Sequence, residues 1–118
     1  MKNKIYHLST CNTCQKIIAE LGAENFELQN IKEKNIDAKT LDWIAKKMGS
    51  YESIFSRRAM KYRSMGLNEM DLSEKDYRKY MLEEYTFLKR PFVIIGDEVF
   101  VGNTKKAIAE AKAALDAQ

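Results

Sequence analysis

Proline occurs once, histidine once and cysteine only twice in the 118 residues. Two cysteines are too few for a structural disulfide framework, and such frameworks belong to oxidising compartments. Together with the lone His7 they also fall short of a four-ligand zinc site, so no metal is expected. No run of about 18 apolar residues is present, which excludes a membrane-spanning helix. The first strand begins almost at once, with no apolar secretion signal ahead of it. A cytoplasmic protein without a membrane partner is the expectation. Charge of one sign is also scarce: 20 basic against 17 acidic residues leave a net +3. That excess, with no basic stripe interleaved with aromatics, excludes direct nucleic-acid binding as the leading class. Repeats, linkers and low-complexity segments are missing. What is present, 45% hydrophobic and 31% charged residues, suits one domain, residues 1–118, with a single core.

Residues 4–8 are mostly apolar, as in a short strand covered on both faces. A polar turn follows, with Ser9, Thr10 or Asn12 placed to cap a helix. That helix carries Ile17, Ile18 and Leu21 on one face and stops at Gly22. A second strand over residues 25–30 shows Phe26 and Leu28 at period two. The result is a β-α-β unit, for which a parallel, right-handed crossover is expected. Asp37 opens a helix with Leu41, Ile44, Ala45 and Met48 at helical spacing, ended by Gly49. Trp43 accompanies that apolar face. Residues 51–65 read as an interrupted, strongly basic helix, and Ser73 with Asp76 signals another capped helix. Residues 37–88 thus form a helical insertion. After Arg90-Pro91, residues 92–95 and 98–101 flank Gly96-Asp97 as a hairpin. Asn103 or Thr104 caps a final Ala-rich helix. The fold class is α/β, a mixed four-stranded sheet (β-α-β … β-β-α) in the thioredoxin arrangement.

Both cysteines fall at the first strand-to-helix junction, spaced C-x-x-C. A thiol at a helix start meets unpaired N–H groups and a partial positive charge. That setting favours the thiolate, which is the reactive form. Cys11 is therefore the candidate nucleophile, with a small buried hydrophobe as the alternative. Cys14, one helical turn on, is either a resolving thiol for an oxidised Cys11 or a cysteine packed beneath the helix.

Several runs carry a family likeness. Tyr6-His7 followed by Cys11-Asn12-Thr13 is similar to the nucleophile loop of the arsenate reductase family of thioredoxin-like proteins. Cys11-Asn12-Thr13-Cys14-Gln15-Lys16 resembles the C-x-x-C-R-K segment of that family's Spx-type redox regulators. Phe55-Ser56-Arg57-Arg58, Tyr62-Arg63 and Gly66-Leu67 are similar to the N-T-R…Y-R…G-L run, and Leu88-Lys89-Arg90-Pro91 to the R-P motif. The chain is identified on these residues as a member of the family.

The resemblance implies a thiol-dependent oxidoreductase. Cys11 would attack arsenate or a disulfide, with Asn12 and Thr13 in the supporting loop. Arg58 and Arg90 would hold the oxyanion or a substrate carboxylate. The family's third arginine is missing, since Val101-Gly102-Asn103-Thr104 stands at its place, and Gln15 replaces a usual arginine. Pro91 would be the cis proline facing the cysteine. His7 would either stabilise the thiolate or shuttle a proton, or else sit neutral in the core. No bound cofactor is implied. Electrons would come from Cys14 or an external thiol, namely glutathione, glutaredoxin or thioredoxin. The competing class is a redox-sensing regulator that binds the RNA polymerase alpha subunit through a Cys11–Cys14 disulfide switch, with Gly49 or Ser50 near the contact glycine.

Overall fold

The computed structural model describes residues 3–118. Four strands, β1 (Lys4–His7), β2 (Glu27–Asn30), β3 (Phe92–Ile95) and β4 (Glu98–Val101), form one sheet in the order β2-β1-β3-β4. β1 runs parallel to β2, pairing Ile5 with Leu28 and His7 with Asn30. It runs antiparallel to β3, which in turn pairs antiparallel with β4. The described residues divide into two compact units, one up to Lys34 together with Arg90–Gln118, the other Asn35–Lys89.

The first unit holds the sheet, α1 (Asn12–Leu21) and the final helix, numbered α5 (Lys105–Asp116). Alternation along the strands aims Ile5, Val93 and Ile95 at one face, where they meet Ile17, Ile18 and Leu21 of α1 and Ala111 of α5. Phe26, Phe100, Ile108 and Leu115 close the edges of this core. β3 is buried along its whole length, which explains a run, Phe-Val-Ile-Ile, with no polar alternation. Thr104 caps α5 by accepting the Ala107 N–H at 3.1 Å.

The second strand is shorter than expected. Residues 23–25 form a 3-10 turn, so pairing starts only at Glu27. Leu28 does not join the core; it is 41% exposed on an edge strand. An edge strand is covered less completely than an inner one, and period-two spacing alone cannot tell the two apart.

The second unit carries α2 (Ala38–Met48), α3 (Met60–Ser64) and α4 (Glu74–Glu83). Asp37 caps α2 through the Thr40 N–H, and Ser73 with Asp76 completes a reciprocal capping box on α4. Met48 turns outward, while Leu41, Ile44 and Ala45 are buried. Residues 51–65 are not one helix. They break into a 3-10 turn (Glu52–Ile54), an extended Phe55 bridged to Leu88, and the short α3. The Ser56 N–H donates to the Phe87 carbonyl and the Lys89 N–H to the Ile54 carbonyl. Those strand-like bonds override the local helical preference. Phe55 stacks on Phe87 with ring centres 4.9 Å apart and meets Tyr77 edge-on at 4.9 Å. That aromatic cluster is the heart of the unit.

Candidate active site

α1 begins at an unusual cap. Ser9, Thr10 and Asn12 were each suited to that role, yet the N-cap residue is Cys11 itself, with extended backbone (φ −90°, ψ 108°) and no side-chain cap bond. Its N–H donates to the Leu8 carbonyl at 3.0 Å and its carbonyl accepts the Gln15 N–H at 3.2 Å, the first helical bond. An N-cap side chain stands where the second and third amides of the helix point. Here that side chain ends in sulfur.

Burial pushes the Cys11 thiol up, but the opposing influences win. The Cys14 amide and thiol, the Arg90 guanidinium and the Thr13 amide bring it below its ordinary value. Cys14 behaves in the opposite way. It is fully buried, and burial, reinforced by the neighbouring Cys11, raises it to about 11. The pair therefore stands with Cys11 as the better acid and Cys14 as the proton-bearing partner. Both are free thiols.

Arg90 precedes β3, and the Arg90–Pro91 peptide bond is cis. The Pro91 carbonyl accepts the Gly102 N–H at 3.0 Å, which ties the start of β3 to the end of β4. Nη1 of Arg90 is buried and has no hydrogen-bond partner among the described residues. A guanidinium held with an unsatisfied donor, beside a thiol it acidifies, is suited to receive an anionic substrate. His7 is 9% exposed, with a buried, unpartnered Nδ1. Burial depresses its pKa, opposed by Glu33, so it is mostly uncharged at neutral pH.

Cys11, Cys14 and Arg90 thus act on one another within one unit, with Asn12 and Thr13 exposed in the first turn of α1. Arg58 belongs to the other unit. It is exposed and makes no ion pair or side-chain hydrogen bond among the described residues, whereas its neighbour Arg57 is held by Glu52 and Tyr77. Sequence reasoning missed Asn30, which reaches from β2 to Ser9 in the loop before Cys11. Only the parallel pairing of β1 with β2 makes it a neighbour, and no local signal marks it.

Among the described residues no group of three or more histidine, cysteine or acidic side chains could hold a metal ion, and no helix is long and apolar enough to cross a membrane. Two hollows of the sheet-bearing unit, about 440 and 530 Å³, lie around Asn3 and Asn25 and include none of the site residues.

A mixed β-α-β/β-β-α sheet with a cysteine at the first helix start and a cis proline before the third strand defines a thioredoxin-like α/β protein. Its likeness to solved structures agrees. It superimposes on an arsenate reductase from Vibrio cholerae with a TM-score of 0.76 at 21% identity, covering 94% of this chain and 98% of that one. An arsenate reductase related protein from Brucella melitensis gives 0.65 at 23% identity, covering 90% of each chain. At the sequence level, the ArsC family model matches residues 6–111. The arsenate reductase of Haemophilus influenzae is 30% identical over 112 residues, spanning 90% of this chain and 95% of that protein. The chain belongs to the ArsC family.

Proposed function

We propose that the protein is a thiol-dependent reductase of the arsenate reductase type, with Cys11 as nucleophile. The carrying observation is the Cys11 sulfur at an otherwise uncapped helix start, acidified by the Cys14 and Thr13 amides and by Arg90. Kinship with a protein named arsenate reductase supports the reductase class.

In the arsenate version, the Cys11 thiolate attacks pentavalent arsenic and an oxygen leaves as water. Arg90 neutralises the oxyanion. A second thiolate then attacks the Cys11 sulfur. A sulfur–sulfur bond forms, and the electron pair of the sulfur–arsenic bond stays on arsenic, which leaves as arsenite. In the disulfide version, Cys11 attacks a disulfide and releases one thiol, and the second thiol leaves when the mixed disulfide is resolved. The resolving thiol is Cys14 or an external one such as glutathione. Cys14 must give up its proton to act, which burial opposes and Arg90 favours. Glutathione with glutaredoxin, or thioredoxin, then restores the dithiol.

The test is arsenite release with glutathione and glutaredoxin, run beside reduction of a model disulfide. Cys11→Ser is expected to abolish both, and retention of either activity would overturn the reading. Arg90→Ala should lower arsenate turnover on the order of a hundredfold. Cys14→Ser separates internal from external resolution, because turnover survives only if the external thiol suffices.

A further inference from the structure

Ser9 stands two residues before the nucleophile and does not cap the helix. Its polar atoms are engaged elsewhere. Asn30, the last residue of β2, donates from Nδ2 to the Ser9 hydroxyl at 2.9 Å and accepts the Ser9 N–H on Oδ1 at 3.4 Å. The same Oδ1 accepts the Lys32 N–H at 3.3 Å. Gln15, on the first helical turn, donates from Nε2 to the Ser9 carbonyl at 3.4 Å. Ser9 is therefore bonded at its amide, its carbonyl and its hydroxyl. The backbone beneath Asn30 is fixed as well: the Ile31 N–H donates to the His7 carbonyl at 2.8 Å, and the Asn30 carbonyl accepts from Glu33 and Lys34.

We propose that Asn30 is a positioning residue for Cys11: by clamping Ser9 it fixes the loop that leads into α1, so that the Cys11 sulfur stays at the helix-start amides. Among the described residues the loop carries one backbone–backbone bond, Cys11 N–H to the Leu8 carbonyl, and Asn30 and Gln15 add three side-chain bonds at Ser9. Asn30 touches no reacting atom. Its effect passes through Ser9, and the inference rests on Cys11 being the nucleophile.

The experiment is the pH profile of iodoacetamide alkylation at Cys11, followed by peptide mass spectrometry on the full chain, with thermal unfolding measured alongside. Asn30→Ala is expected to move the profile upward by about half to one pH unit, slowing the reaction about three- to tenfold near neutral pH. The rates should converge again where both thiols are ionised. Ser9→Ala should shift the profile in the same direction and Ser9→Thr, which keeps the hydroxyl, should restore it. A lowered melting temperature with an unmoved profile would overturn the proposal by leaving Asn30 a merely structural part. Should Asn30→Ala fail to fold, the Ser9 pair decides alone. A wild-type profile centred at the ordinary thiol value of about 8.5 would instead remove the nucleophile, and the clamp with it.

Discussion

Two sulfurs three residues apart receive opposite treatment from one helix. Cys11, half-buried at the N-cap, has the amides of the first turn in front of it, while Cys14 is sealed beneath them. Arg90 acts on both thiols, so its replacement gives a direct check. Arg90→Ala should shift Cys11 alkylation to higher pH, and Arg90→Lys should recover part of the shift, because a point charge acidifies without the guanidinium fork. The pair also leaves a mark on stability. Cys14 ionises near 11 when folded but near about 8.5 when unfolded. Its contribution is therefore full below the unfolded value and is lost as pH rises toward 11. Cys11, depressed in the folded state, contributes stability that is complete above its unfolded value and lost only as pH falls through the folded one. Between pH 9 and 11 the Cys14 effect alone remains. Urea midpoints of the reduced wild type should fall across that window more steeply than those of Cys14→Ala. His7 behaves like Cys11 at lower pH. Burial depresses it, so its contribution begins to drop as pH falls below about 6.5. His7→Gln should flatten that acid limb.

At the scale of elements, α1 starts at Cys11 and Gly22 ends it. Gly22 sits at φ 91°, where a side chain is strained, and a Cβ would come within 2.7 Å of Asn25 Nδ2. That nitrogen donates to the Leu21 carbonyl at 3.0 Å, so the helix end would lose its bond as well. Gly22→Ala should cost about 2 kcal/mol, read as a lower urea midpoint with an unchanged slope. Elements of this kind were legible in the sequence. Gly22, Asp37, Ser73 with Asp76, and the Gly96-Asp97 hairpin are local signals, and each governs bonds within a few residues of itself. Residues 51–65 were legible as an interrupted helix, but the extended Phe55 was not, because it is drawn into a bridge with Leu88, thirty-three positions away. The N-cap position of Cys11 was half legible: the strand–turn–helix context was plain, but Ser9, Thr10 and Asn12 all outrank cysteine as caps on propensity alone. Asn30 was invisible, since its partner is chosen by strand pairing.

On the scale of the whole chain, the described residues divide into two compact units. The second rests on rings. Phe87 is fully buried and stacks on Phe55, with Tyr80 edge-on at 6.2 Å. Phe87→Ala should cost about 3–5 kcal/mol. Hydrogen exchange checks where that loss falls: amides of α2 and α4 should exchange faster by a larger factor than those of β1 and β3.

Cys14 has no solvent-exposed surface at all. An alkylating reagent added to the intact protein therefore finds one target and leaves the other untouched until the first helix lifts away from the sheet. The second tag to arrive becomes a clock for that lifting, built into the molecule without any engineered probe, and its rate would report how often the platform under the first tag comes apart.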